Sequence, residues 1–176
     1  MALPIQMKYQ LQTDRLTLRP HTAADISALV RLLTDRANTE TFLVPDFTSE
    51  AQAISLAQKL VDFSQVSDTG HLQYAIDLQG QLIGFITDCG IEADTIEIGY
   101  ILDPAYQGHG YTTEATHSVI DDLRRMGFKK VTAEFFDTNT ASRRVLEKCG
   151  LRPTGSIETL EYRGVVHTCI GYSLDL

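Results

Sequence analysis

The sequence predicts a single α+β domain spanning residues 1–176, with a mainly antiparallel, mixed sheet flanked by helices. Three observations carry this. A chain of 176 residues is long enough to bury a substantial core but short for two domains. Its hydrophobic periodicity alternates between strand and helix spacing in the order β-α-α-β-β-β-α-β-α-β-β. One strand feeds one helix through a glycine loop (residues 103–115, Asp-Pro-Ala-Tyr-Gln-Gly-His-Gly-Tyr-Thr-Thr-Glu-Ala), which places one parallel crossover among hairpins.

Residues 15–19 (Arg-Leu-Thr-Leu-Arg) alternate and read as the first strand, which Pro20 ends. Thr22 caps a helix with Ile26, Leu29, Val30 and Leu33 on one face. Residues 38–47 are irregular, and Thr48 or Ser49 caps a second helix with Ile54, Ala57 and Val61 inward. Strands at 72–78 and 82–87 join through Gln79-Gly80, a tight hairpin turn. Cys89-Gly90 and Ala93-Asp94 mark turns before a strand at 95–102. After the glycine loop, a helix beginning near Thr113 carries Ala115, Val119, Leu123 and Met126 inward and ends at Gly127. A strand at 130–136 follows, then a short helix opened by Asn139 or Thr140, with Ala141, Val145 and Cys149 inward and Gly150 at its end. Strands at about 154–160 and 168–174 close the chain.

The net charge of −8 argues against nucleic acid as a partner. Residues 121–152 are the exception, with a net charge of +3 read from the sequence, a local basic region suited to a small polyanion or simply to solvated helix faces. No apolar run approaches the roughly 20 residues that span a bilayer, so no membrane partner is expected. Met1–Lys8 is too weakly patterned for a signal peptide, and a cytoplasmic location is the expectation. Three widely spaced cysteines, Cys89, Cys149 and Cys169, suggest buried free thiols rather than disulfides or a zinc site. His109 and His117 lack the i,i+4 spacing of a helical metal pair, and no metal is expected. Monomer and homodimer are left equally open.

Gly108 and Gly110 let backbone approach a ligand without an intervening Cβ, and the first turn of the following helix has unpaired N–H groups. Such a loop suits a phosphate, although an ordinary glycine turn has the same composition. The P-loop lysine and the Gly-x-Gly-x-x-Gly pattern are both absent.

The loop resembles the pyrophosphate loop of the GNAT acetyltransferases, Gln/Arg-x-x-Gly-x-Gly/Ala, with Gln107 and Gly110 in register and Thr112 departing from the last position. Residues 139–151 (Asn-Thr-Ala-Ser-Arg-Arg-Val-Leu-Glu-Lys-Cys-Gly-Leu) are similar to that family's Asn-x-x-Ser…Glu-Lys-x-Gly-Phe segment, with Leu151 in place of Phe. Residues 13–20 (Thr-Asp-Arg-Leu-Thr-Leu-Arg-Pro) resemble the opening of the RimJ/RimL-type protein N-acetyltransferases, and Glu97 to Asp103 runs into the glycine loop as in that branch. The likeness covers about residues 11–174.

The resemblance implies a cleft splayed between the fourth and fifth strands that takes acetyl-CoA as cosubstrate. It implies that pantetheine meets the backbone of Ile101 and Leu102, and that the pyrophosphate sits on Gln107, Gly108, His109, Gly110, Tyr111 and Thr112. Asn139 is similar to the family asparagine that contacts the cofactor arm. Ser142 corresponds to a serine that protonates the CoA thiolate in RimL-like members, or is a first-turn helix residue bonded to backbone. The tyrosine that serves many other members is replaced here by Leu146.

Acetyl transfer to an amine needs a neutral nucleophile, a stabilised oxyanion and a tolerated thiolate. Glu97 is the first candidate base, though strand alternation equally allows it an outward face. Tyr100 lines the cleft or packs in the core, and Glu158 and Glu161 are further base candidates. Residues 38–46 and 158–167 are expected to select the acceptor, an amine on a protein N-terminus or a small molecule such as a polyamine. Thr168 stands where RimJ/RimL-type proteins often carry an acid. A non-catalytic acyl-CoA-binding sensor on the same fold is the reading from another class.

Overall fold

A computed structural model describes residues 3–7, 10–66 and 70–176. The strands form one eight-stranded sheet in the order β1-β2-β3-β4-β5-β6-β8-β7. In chain order its elements are β1 (Leu11–Gln12), β2 (Thr17–Arg19), α1 (Ile26–Thr34), α2 (Arg36–Thr39), α3 (Glu50–Gln65), β3 (Gln73–Leu78), β4 (Gln81–Glu92), β5 (Thr95–Leu102), α4 (Tyr111–Met126), β6 (Lys130–Phe136), α5 (Thr140–Lys148), β7 (Arg152–Tyr162) and β8 (Val165–Asp175). Among the described strands only β5 and β6 run parallel, joined by α4. The short β1 adds one strand to the expected order, so the expected fourth and fifth strands are β5 and β6.

Gln79 and Gly80 both have positive φ, 54° and 88°, the twist that a two-residue hairpin requires. Cys89-Gly90 is not a turn. It lies inside β4, where the register with β5 shifts between Asp88 and Gly90. A glycine that breaks a strand pattern marks a bulge as readily as a turn, and the chain reverses only at Ala93, which has a φ of 53°.

Two cores cover the faces of the sheet. On one, Ile96 and Ile98 of β5 meet Val119 and Leu123 of α4 and Leu146 of α5. On the other, Phe85 and Ile101 meet Leu29 and Leu33 of α1 and Ala57 and Val61 of α3. Two inward assignments shift by one residue. Ile54 is 43% exposed, because the α3 stripe runs through Ala53, Ala57, Leu60, Val61 and Ser64. In α5 the inward stripe is Ser142, Leu146 and Cys149, while Ala141 is exposed and borders a cleft. Cys89 is exposed and Cys169 only half-buried, so Cys149 alone among the thiols matches a core cysteine.

The pairing of β5 with β6 covers only Thr95–Glu97 against Lys130–Thr132. Both strands continue, to Leu102 and Phe136, without pairing to each other, and a wedge opens between them.

Candidate active site

The wedge exposes backbone. Asp103 donates its N–H to the Ile83 carbonyl at 2.8 Å, tying that end of β5 to β4. Alternation along a strand then turns the backbone groups of Leu102 and Tyr100 the other way, into the wedge, and those of Ile101 toward β4. The Leu102 carbonyl accordingly accepts from Gln107 Nε2 at 3.4 Å. Ile101 borders the cleft but turns its backbone groups toward β4, while Tyr100 turns its own into the wedge.

Gly108 and Gly110 each have a φ of +81°, and nothing lies within 4 Å of a Cβ built on Gly108. Open space over bare backbone beside a helix N-terminus is the cradle a phosphate needs. Thr112 lies inside the first turn of α4, where a side chain carries no backbone penalty, which explains its departure from the glycine pattern.

The opening segment of the chain fixes this loop from behind. Glu114 accepts from Thr13 Oγ1 at 2.6 Å, from the Arg15 N–H at 2.8 Å and from Arg15 Nε at 2.7 Å. Arg15 also donates to the His109 carbonyl at 2.9 Å and lies 4.5 Å from the centre of the Tyr111 ring. Burial opposes ionisation of Glu114, but the bonds from Thr13 and Arg15 outweigh it and hold the carboxyl below its ordinary range. Two segments far apart in sequence thus form one structure. The carbonyl of His109 is taken by Arg15, and His109 alone among the expected cofactor residues does not line the cleft.

The cleft has a volume of about 410 Å³ and is lined by Leu102, Gln107, Gly110, Thr112, Asn139 and Ser142, among others. Arg144 and Lys148 of α5 also line it, cations that sequence reading left within a general basic segment. Their spacing of four on one helix face was the available signal. The Asn139 side-chain oxygen accepts from the Ser142 N–H at 3.1 Å as the cap of α5. The Ser142 hydroxyl lies 2.8 Å from the Tyr100 hydroxyl. Burial pushes the Tyr100 phenol up, against a smaller opposing effect of the Ser142 bond.

A second cavity of about 300 Å³ adjoins the first, sharing Phe42, Tyr100, Asn139 and Ser142 with it. Glu97 lines this cavity together with Glu134 of β6. Burial first, and then the charge of Glu134, raise the Glu97 carboxyl above its ordinary range. The two segments expected to select an acceptor meet here. Tyr162 donates its O–H to the Thr39 carbonyl at 2.9 Å, and Arg163 Nε lies 3.1 Å from Asp46. Residues 158–167 are not a loop, however, but the end of the β7–β8 hairpin, and Glu158 and Glu161 are exposed on β7 and line neither cavity. Among the described residues no three His, Cys, Asp or Glu side chains group as a metal site, and no helix is long and apolar enough to cross a membrane.

Comparison with known proteins agrees with this geometry. A curated relative from Bacillus licheniformis, the uncharacterized N-acetyltransferase p20, is 26% identical over 157 residues, covering 86% of each chain. The uncharacterized N-acetyltransferase YoaA of Bacillus subtilis is 27% identical and covers 87% of this chain and 88% of its own. Among solved structures, a RimL ribosomal L7/L12 α-N-protein acetyltransferase in complex with coenzyme A superposes with a TM-score of 0.82 at 21% identity, covering 100% of this chain and 98% of that one. The microcin C7 self-immunity acetyltransferase MccE, in complex with acetyl-CoA and AMP, superposes with a TM-score of 0.80 at 21% identity, over 93% of each chain. The acetyltransferase (GNAT) domain matches residues 15–152, and the chain belongs to the GNAT family of N-acetyltransferases.

Proposed function

We propose that this protein transfers acetyl from acetyl-CoA to a primary amine, in the manner of the RimJ/RimL branch. The observation that carries the reading is the wedge itself: the Leu102 backbone lies between a phosphate cradle on one side and a cavity holding unpartnered carboxylates on the other. Pyrophosphate suits the N–H groups of residues 108–112, and Arg144 and Lys148 suit the remaining phosphate charge. Pantetheine follows the turned-out backbone of Tyr100 and Leu102 as an added strand. The Leu102 N–H then meets the thioester oxygen as negative charge grows on it.

The amine enters from the acidic cavity. Glu97 takes its proton, directly or through water. The new C–N bond forms as the C–S bond breaks, and Ser142 supplies the proton that the CoA thiolate gains. The Tyr100 hydroxyl orients Ser142 from 2.8 Å. Structural neighbours named as acetyltransferases of ribosomal L7/L12, one from Salmonella typhimurium, support a protein N-terminus as acceptor.

The test is thiol release from acetyl-CoA with Ala- and Ser-starting peptides, polyamines and amino acids, alongside a thermal scan. Acetyl-CoA at a hundredfold excess over its Kd adds about 2.7 kcal/mol to stability. An unmoved Tm overturns cofactor binding. A raised Tm with no turnover of any amine favours the sensor reading.

A further inference from the structure

We infer that the acceptor is a primary ammonium without a carboxylate on the same carbon, held by Glu134 and Glu97 together and carried on a compact apolar group. This rests on the acetyl-transfer reading for its purpose, but on separate observations for its chemistry.

The first observation is charge. Glu97 and Glu134 are the only carboxyl side chains among the residues lining the 300 Å³ cavity, and no Lys, Arg or His lines it. His167 comes near but stacks flat on Phe136, with ring centres 4.0 Å apart, and is not part of the wall. Neither carboxylate is hydrogen-bonded or ion-paired to any described residue. Elsewhere in this molecule buried acids are matched: Asp25 and Asp77 by Arg19, Asp103 by Arg31, Asp122 by Arg125.

The second observation is placement. Glu97 faces Thr132 across the last paired rung of β5 and β6, and Glu134 stands two residues further along β6, on the same face of the sheet. The pair therefore flanks the point where the wedge begins, and the same cavity reaches Tyr100 and Ser142 at the mouth of the cofactor cleft. A like-charged pair with one half-buried member, Glu97, is held at a cost that an entering cation removes. The raised affinity of Glu97 for a proton is the same effect seen without the cation.

The third observation is the rest of the wall. Phe42, Leu43, Phe135, Phe136 and Leu160 supply apolar surface, which favours an apolar carrier behind the ammonium. A free amino acid brings its own carboxylate within a bond or two of the amine. That group meets two carboxylates and no cation here. A peptide N-terminus or an arylalkylamine lacks it. The two glutamates divide the work: Glu134 retains the cation, and Glu97 accepts the proton.

Titration calorimetry of the full chain with saturating CoA tests this without requiring turnover. The probes are 2-phenylethylamine, L-phenylalaninamide, L-phenylalanine and a Phe-starting hexapeptide. The expected result is that phenylalaninamide and phenylethylamine bind at least tenfold more tightly than phenylalanine, and that Glu134→Gln removes this preference. Glu134 is exposed, so the variant keeps its fold. Tighter binding of the hexapeptide than of phenylalaninamide names a chain end as the source of the ammonium, and the reverse order names a small amine. Phenylalanine binding as tightly as its amide, an unchanged preference in Glu134→Gln, or no binding of either amine overturns the assignment. Amine binding without thiol release defeats the acetyl-transfer reading alone and leaves this one standing.

Discussion

The two cavities that meet at Tyr100 and Ser142 are made of different materials. The proposed cofactor side is mostly backbone: the turned-out groups of Tyr100 and Leu102, the glycine loop and the first turn of α4, all drawn from residues 100–113, with α5 added alongside. The proposed acceptor side is almost wholly side chain, gathered from residues 41–43 and from strands β4 to β8. Backbone amides present the same donors whatever the sequence, so a site built from them recognises a constant ligand. A site built from side chains changes with each substitution. One fold can therefore keep its donor and exchange its acceptor.

Gly110→Val strikes the constant side and has the largest expected effect. A β-branched residue at a φ of +81° costs about 1–3 kcal/mol of backbone strain. The loop relieves that strain by moving the amides that form the cradle. The nearest atom to a Cβ there is Arg15 Nη2 at 3.6 Å, so the fold itself has room. Calorimetry should show CoA binding lost while circular dichroism stays native. Retained CoA affinity in the folded variant would place the phosphate elsewhere.

Ser142→Ala acts where the two sides join. The Tyr100 hydroxyl keeps a partner in the Ser142 carbonyl at 3.3 Å, so the structural cost is small. If the serine protonates the thiolate, kcat falls by about 10²-fold with CoA affinity unchanged, the low end of general-acid effects. An unchanged kcat, with chemistry rate-limiting, leaves Ser142 as a helix residue only.

Glu97→Gln tests the acceptor side through pH. A base works only when deprotonated, and burial and Glu134 raise the Glu97 carboxyl. Wild-type kcat/KM should therefore rise with pH through an ionisation above the ordinary carboxylate range. The Gln variant should lack that limb and lose about 10²-fold at the plateau. Glu134→Gln removes the neighbouring negative charge, so the limb should move to lower pH. Cys89 on β4 also lines this cavity; although the residue as a whole is exposed, desolvation of its thiol, then the charges of Glu97 and Asp88, push it up to about 12, too high to be confused with the limb. A variant with the wild-type profile assigns the base to water.

The same contrast explains what the sequence revealed. The glycine loop, β5, β6 and the Asn139 cap are local: a φ requirement, an alternation or a cap is written within a few residues, and each was legible. The bulge at Asp88–Gly90 was misread because a glycine in a strand carries one signal for two outcomes. The grip of Thr13 and Arg15 on Glu114 spans about a hundred residues of chain, and only the family pattern hinted at it. Glu134 carried no signal at all. Its alternation on β6 marks an outward residue, and only the failure of β5 and β6 to stay paired makes that face the wall of a cavity.

The smallest effect should come from Tyr162→Phe, and it separates the two sides most cleanly. Tyr162 sits at the end of β7 and donates to the Thr39 carbonyl at 2.9 Å, while the Val44 N–H reaches its oxygen at 3.4 Å. This joins the hairpin to the 39–44 segment, which supplies Phe42 and Leu43 to the acceptor wall. Removing one hydroxyl costs about 0.5–1.5 kcal/mol, and its remaining contacts, the Phe42 and Val44 carbonyls at 3.3 Å, belong to the same segment. Arg163 still holds Asp46 and Thr39, so the segment loosens rather than detaches. The expected outcome is a rise in the acceptor KM of about threefold to tenfold, consistent with that energy, and a CoA affinity equal to that of the wild type. The CoA cradle shares no hydrogen bond with Tyr162. Equal losses on both sides would mean that the hairpin supports the whole cleft, and the division between a fixed donor site and an exchangeable acceptor site would have to be withdrawn for this chain.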